Sequence, residues 1–329
     1  MDFDIPSGLK VAVLMGAVGS ERQVSLQSGK CVADALKQTK LLEVIEQDYQ
    51  PASPQILDDK SIDVFFLVFH GEFGEDGQMQ KICEKKNLVF TGCDSKASGL
   101  AFDKIACKKV LRQAKLPVPD DVEIRNPEHL NTVSAKLRKM GPACGEIACP
   151  EQGRRVEPKF VIKPIRQGSS VGVRIVEGAE NAEIAAEKCV AQFGDCMLEE
   201  FIAGREITVG ILENKTLPVI EIRTTHQFYD YDAKYNDDTT QFLFDTIDDK
   251  QILQRINDVA LKSFNALGCR DFSRVDMILS PDGIPYVIEI NTIPGFTTHS
   301  LLPKAAAKAG IEMSQLCLRI IKSALKRAR

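Results

Sequence analysis

The chain of 329 residues is 44% apolar and 27% charged, the make-up of a globular protein with length for two or three domains. A formal net charge of -4 without a polybasic segment gives no electrostatic reason to expect nucleic acid or an anionic membrane surface, so a small-molecule partner is expected. The start MDFDIPSGLK lacks the basic end and apolar core of a secretory leader and no later run approaches a membrane span, so the ten scattered cysteines read as reduced thiols and the location as cytoplasmic.

The first stretch, LKVAVLMGAVGSERQVSLQSGKCVADALK, reads as a buried strand over Val11–Met15, a glycine turn, and a helix with Val24, Cys31, Val32, Ala35 and Leu36 at helical spacing. DVFFLVFHGEFGEDG supplies a second buried strand and LVFTG a third. Alternating strands and helices predict an α/β layer with a mostly parallel sheet, whose ligands sit at the C-terminal ends of the strands, where both glycine turns fall. Gly16-Ala17-Val18-Gly19-Ser20-Glu21 lacks the Gly-x-Gly-x-x-Gly order, which argues against a nicotinamide enzyme.

Beyond Cys93, SKASGLAFDKIACKKVLRQAKLPVPD predicts a helical stretch stopped by Pro117 and Pro119, with Lys104 in the helix or at its edge. Residues 126–158 are polar and proline-containing and suggest helix and surface loop; Cys144 and Cys149 there have no nearby histidine and the wrong spacing for a zinc knuckle. In VIKPIRQGSSVGV, Gly168 and Gly172 let backbone approach a ligand closely, and Ser169 and Ser170 add hydroxyls to a run of N–H groups, a combination that suits phosphate oxygens. An ordinary Gly-Ser turn has the same composition, and the loop alone does not separate the two. A helix over Ala182–Phe193 follows, then CMLEEFIAGREITVGIL, strand-like on both sides of Ala203-Gly204, and at the end an amphipathic helix over Lys304–Arg329 with a basic terminus.

The segment SRVDMILSPDGIPYVIEINTIPGFTTHS is the richest in chemistry. Ser280-Pro281-Asp282-Gly283 between apolar runs predicts a hairpin with a four-residue loop that pairs Leu279 with Ile284, Asp276 with Val287 and Arg274 with Glu289. Arg274, Asp276, Glu289 and Asn291 then share one face, and Val275, Met277, Leu279, Ile284, Tyr286, Ile288 and Ile290 the other. Two carboxylates and an amide carbonyl are hard oxygen ligands suited to magnesium, with further positions left to water and phosphate oxygens. An exposed hairpin face with ordinary charges would read the same way, and Arg274 could be a structural ion-pair partner or a stabiliser of developing negative charge.

Taken together, these runs resemble the D-alanine–D-alanine ligases of the ATP-grasp superfamily. The matching stretches are Gly19–Ser25, His70-Gly71 through Gly74–Gly77, Phe102–Lys104, Val161–Pro164, Gly168–Gly172, Glu199–Phe201, Gly204–Glu206, FYDYDAKY at 228–235 and EINTIPGFTTHSLLP at 289–303, in family order over almost the whole chain. The resemblance implies an α/β fold, α+β in its central and C-terminal parts: an ATP-grasp behind an N-terminal parallel-sheet domain. Its divisions would be residues 1–93, 94–198 with the phosphate loop, and 199–329 with the lid and metal site.

It further implies ATP as co-substrate, with Lys104, Lys163, Gly168, Ser169, Ser170 and Val171 toward phosphate. Glu199, Glu200, Phe201 and Ile202 would meet adenine, and Glu206 the ribose. Asp276, Glu289 and Asn291 would hold two Mg2+ (or Mn2+). Glu21 would take the ammonium and His70 the carboxylate of the first D-alanine, Arg274 and the Gly295 main chain the tetrahedral centre, and Ser300 and Leu301 the second carboxylate. Lys234 and Tyr235 belong to the lid, with Tyr235 reaching Ser169 and through it Glu21. The implied product is D-alanyl-D-alanine for peptidoglycan, formed through an acyl phosphate by a cytoplasmic homodimer. D-lactate or D-serine as second substrate, another ATP-grasp amide ligation, and a non-catalytic nucleotide-binding module are the alternatives; Tyr235 favours D-alanine, and Asp276, Glu289 and Asn291 beside Arg274 argue for catalysis. Ala17, Gln167 and Glu200 depart from residues common in the family, and 141–157 matches no motif.

Overall fold

In a computed structural model of the chain, which describes residues 5–19, 21–125, 157–224 and 239–328, the apolar run Val11–Met15 lies at the centre of a parallel sheet. Strand β1 (Leu9–Gly16), helix α1 (Arg22–Gln38), strands β2 (Leu42–Tyr49) and β3 (Val64–Leu67) and helix α2 (Gln78–Lys85) build this unit, with sheet order β2-β1-β3. Covered on both faces, β1 reads as a continuous hydrophobic run, as central parallel strands do. The sequence reading missed β2 because LEVIEQDY carries four polar residues and is a half-buried edge strand. The expected third strand reduces to one parallel bridge, Phe65 with Phe90. On α1, Val32, Ala35 and Leu36 are buried as their spacing requires, whereas Val24 and Cys31 line a cavity.

The long helical stretch is two helices, α3 (Ser95–Phe102) and α4 (Lys104–Gln113). Asp103 stands between them with extended backbone (φ -82°, ψ 101°), and its carboxylate accepts from the Ala106 amide at 2.9 Å, ending one helix and capping the next. Strands β4 (Asp121–Ile124), β5 (Lys159–Pro164) and β6 (Arg174–Glu177), helix α5 (Ala179–Phe193) and strand β7 (Cys196–Glu200) follow. The four strands form an antiparallel sheet in the order β4-β7-β5-β6, and α5 packs on it through Ala182, Ala186 and Val190.

Strands β8 (Arg205–Leu212), β9 (Lys215–Thr216), β10 (Ile220–Arg223) and β11 (Gln241–Leu243), helix α6 (Lys250–Ala266), and strands β12 (Phe272–Leu279) and β13 (Pro285–Asn291) make a second antiparallel sheet, β11-β10-β8-β12-β13, with β9 beside β8. Strands β7 and β8 are four residues apart yet belong to different sheets. At that crossing a Cβ on Gly204 would run into the Leu279 carbonyl, so the position needs glycine for close backbone approach. The expected terminal helix is also two: α7 (Leu301–Lys308) and α8 (Met313–Ala328), separated at Gly310, whose φ of 76° no helix accommodates. Leu316, Ile320, Ile321 and Ala324 of α8 pack into the core of the N-terminal sheet.

The hairpin register corrects the sequence reading. Its loop is three residues long, Pro281-Asp282-Gly283, closed by the Ser280 amide on the Ile284 carbonyl at 3.0 Å, so Leu279 pairs with Pro285. A β-bulge then places Asp276 opposite Glu289 and Arg274 opposite Asn291. The extra residue lets Val287 and Ile290 both enter the core while Tyr286 and Ile288, expected there, stay half-buried. The two one-residue shifts add to two, which restores the alternation, so the four polar residues still share a side.

Candidate active site

Two neighbouring cavities meet at Lys104, Gln167 and Glu289. The larger, about 600 Å³, is walled by α1 and the His70–Glu75 turn of the N-terminal unit, by the Gly168 loop, and by the β12–β13 face with the segment leading into α7. The smaller, about 160 Å³, lies between the two antiparallel sheets.

In the larger cavity Glu21, just before α1, is buried, and Ser169 donates to its carboxylate across the whole fold. That carboxylate sits between two glycines: a Cβ would come within 2.5 Å of it from Gly71 and 3.0 Å from Gly168. His70 is buried with Nε2 3.2 Å from the Ser28 hydroxyl. Burial, reinforced by the Arg274 charge, lowers its pKa to about 4, so the ring is neutral at pH 7. Glu75, unassigned by the sequence reading, accepts from the Gly71 amide at 2.9 Å; burial and the Glu21 charge raise its carboxyl well above the ordinary range.

Arg274 makes a two-pronged ion pair with Asp276, both contacts 2.8 Å, and Thr208 donates to the same carboxylate at 2.5 Å. Both alternatives for Arg274 are therefore compatible: it is paired, and it lines the cavity. Asn291 turns its Oδ1 to the Ile293 amide at 3.0 Å, which leaves that oxygen a second lone pair. Glu289 faces both cavities, and its carboxylate has no hydrogen-bond or ion-pair partner among the described residues. No three His, Cys, Asp or Glu side chains converge as a metal centre among the described residues. The donor set is instead two carboxylates and an amide oxygen, which fits a hard divalent cation that keeps water or phosphate ligands. Gly295 and Ser300 are in contact range, since a Cβ on Gly295 would come 2.6 Å from the Ser300 hydroxyl. Ser300 is the N-cap of α7 and Leu301 its first residue, buried beside the same cavity.

The smaller cavity is lined by Lys104, Lys163, Ser170, Val171, Glu199, Glu200, Phe201, Ile202, Glu206 and Asp276. Lys104 opens α4, is buried, and donates to the Gln167 carbonyl at 2.5 Å. Lys163 pairs with Glu199 at 2.7 Å, both almost fully buried. Burial opposes the charge of Glu199, but Lys108 and Lys163 outweigh it and hold its carboxyl below the ordinary value. The Phe201 amide is taken by the Lys159 carbonyl at 3.1 Å, so its main chain offers a base the carbonyl. Ser169 and Ser170 have φ of 50° and 59° and Gly172 75°, a left-handed run that gathers N–H groups into a concave turn. Lys234 and Tyr235 lie outside the described residues.

The structure thus brings every described candidate to one of two joined cavities. The sequence reading missed Lys108 and Glu75: Lys108 repeats every four residues with Lys104 and Arg112 along one helix face, and Glu75 lies inside a run already quoted as a motif.

Two antiparallel sheets facing each other over a lysine-lined cleft, beside a parallel-sheet unit, are the ATP-grasp architecture. Residues 148–322 match the family described as D-ala D-ala ligase C-terminus. A D-alanine–D-alanine ligase of Desulforudis audaxviator (strain MP104C) is 38% identical over 322 residues, 97% of this chain and 99% of that one. The crystal structure of D-alanine–D-alanine ligase from Bacillus anthracis complexed with ATP is similar at a TM-score of 0.77 and 31% identity, over 98% of this chain and 99% of that one. That of VanG D-Ala:D-Ser ligase from Enterococcus faecalis is similar at 0.78 and 26% identity, over 97% and 100%. The chain belongs to the D-alanine–D-alanine ligase family.

Proposed function

We propose that this protein uses ATP to join two D-alanine molecules into D-alanyl-D-alanine, a building block for peptidoglycan. The observation that carries this reading is the Ser169–Glu21 contact, which closes the phosphate-suited loop over a buried carboxylate in a cavity of about 600 Å³. In this reading the smaller cavity takes the nucleotide base and the larger one the two amino acids.

Glu21 then holds the ammonium of the first D-alanine, and His70 stands beside its carboxylate as a neutral ring that adds no charge next to Arg274. The carboxylate oxygen attacks the terminal phosphorus of ATP, ADP leaves, and an acyl phosphate results. Lys104 and Lys163 hold phosphate oxygens through the transfer. The amine of the second D-alanine, its carboxylate at Ser300 and Leu301, attacks the acyl carbon and gives up a proton; phosphate leaves with the C–O bond pair. Arg274 and the Gly295 amide face the oxygen that becomes negative at that centre. Asp276, Glu289 and Asn291 would hold two Mg2+ or Mn2+, which supply charge neutralisation on the transferring phosphoryl group. Closing the Gly168–Gly172 loop over the cavities keeps water from the acyl phosphate.

This reading keeps the divisions at 1–93, 94–198 and 199–329, a cytoplasmic location and a homodimer as parts of the proposal. Among the described residues no helix is long and apolar enough to cross a membrane. The test is phosphate release from ATP with each D- and L-amino acid, followed by identification of the product. D-alanine alone should stimulate release and yield the dipeptide; stimulation only by a D-alanine and D-serine mixture would shift the assignment to the chemistry named for VanG, and no stimulation by D-alanine would end it.

A further inference from the structure

Lys108 is 2% exposed and lines neither cavity, yet it is the most heavily bonded ammonium near them. It lies one turn after Lys104 on α4 and reaches the Pro119 carbonyl at 2.8 Å, Glu199 Oε1 at 2.5 Å and Asp121 Oδ1 at 3.3 Å. Arg112, one turn further, meets the same Pro119 carbonyl at 3.0 Å and also pairs with Asp121. On the other side of Glu199, Lys163 takes Oε2 at 2.7 Å. One carboxylate is thus held at each oxygen by a separate buried ammonium, only one of which faces the cleft. Burying Lys108 is costly unless its charge is matched, and Glu199 and Asp121 match it. Each Glu199 oxygen has two lone pairs and one ammonium, so each can accept one donor more.

Building on the nucleotide reading above, we propose that Lys108 is a positioning residue for base choice. It pins Glu199 as a fixed anion, so that the cleft favours a purine with a donor at position 6 over one with an acceptor there. A 6-amino purine brings an N–H to a carboxylate that can only accept. A 6-oxo purine brings a carbonyl oxygen to the same anion and is repelled. Without Lys108, Glu199 keeps one cation and leans toward Lys163, which shifts both the acceptor facing the base and the ammonium facing the phosphates.

The experiment measures binding of ATP and of ITP, its 6-oxo counterpart, to the full chain with Mg2+ before any D-alanine is added. Wild type should prefer ATP. Lys108→Met should weaken ATP by about 10- to 100-fold, the range for one hydrogen bond to a charged group, and leave ITP nearly unchanged. In turnover, KM for ATP should rise more than kcat falls. In a Glu199→Gln background, Lys108→Met should cost little more, because the anion it positions is already gone. Equal losses for both nucleotides, or losses fully additive with Glu199→Gln, would show a structural role only and overturn the proposal. If Lys108→Met does not fold, Lys108→Gln keeps a donor for Pro119 without the charge and carries the same comparison; if neither folds, Lys108 is a stability element and the proposal is wrong. A wild type that binds neither nucleotide defeats the ligase reading and this inference together, whereas the variant outcomes bear on this inference alone.

Discussion

The β12–β13 hairpin and the loop from Arg166 to Val173 border the same cavities and are held in opposite ways. The hairpin rests on Val275, Met277, Leu279, Val287 and Ile290, all buried, and its arginine is tied to Asp276 by two bonds. No residue of the loop is buried, and two non-glycine residues, Ser169 and Ser170, hold positive φ. Charge that must stand ready for a reaction belongs on a rigid surface, because its reorganisation would otherwise add to the barrier. A cover that admits and releases nucleotide belongs on a segment with little core to hold it.

If the hairpin is a pre-set charge platform, removing one of its charges should have the largest effect. Glu289→Gln keeps size and shape, and turnover at limiting magnesium should fall by about 100-fold or more while Tm stays near the wild-type value. Full activity there would reduce the platform to an exposed polar face.

Acid should undermine the same wall from behind. His70 has its pKa lowered to about 4 by burial and Arg274, against an ordinary value of 6.5, so the unfolded chain takes up the proton first. Its contribution therefore weakens as pH falls from 6.5 toward 4 and is unaffected above that window. The full effect is on the order of 3–4 kcal/mol, from about 1.4 kcal/mol per unit. His70→Gln should flatten the decline of Tm between pH 6.5 and 4; an unchanged slope would place the acid sensitivity elsewhere.

The loop is sharpened by comparing two glycines. A Cβ on Gly172 would come within 2.6 Å of Phe193 and 2.8 Å of Pro164, whereas one on Gly194 would meet nothing within 4 Å, although φ is positive at both. Gly172→Ala should cost about 1–3 kcal/mol and weaken nucleotide binding, and Gly194→Ala about 1 kcal/mol with binding unchanged. Equal losses in melting and binding would mean that backbone strain alone matters. The smallest signal is hydrogen exchange across 166–172, which should slow on adding ATP with magnesium while β12 and β13 do not change. Equal rates in both states would return the loop to a plain turn.

How much could be read in advance follows from the range of each interaction. Runs of local character were legible: the apolar β1, the strands on either side of Ala203-Gly204, and the polar residues of the hairpin. The bulge was not, since an extra residue in one strand leaves no mark except that Val287 and Ile290 both seek the core. Asp103 splitting a helical stretch was hidden for a related reason, because its capping role appears only once Lys104 starts a new helix and leaves the Ala106 amide to be capped. The order of the quoted motifs carried the family and the identities of the candidate residues. Which sheet each strand joins, the seating of α8 on the N-terminal core, and the Lys108–Glu199–Lys163 chain were decided by tertiary structure, whereas the meeting of Ser169 with Glu21 was expected from the family resemblance. Those contacts join residues far apart along the chain, and the energy of a buried charge depends on what faces it rather than on what precedes it.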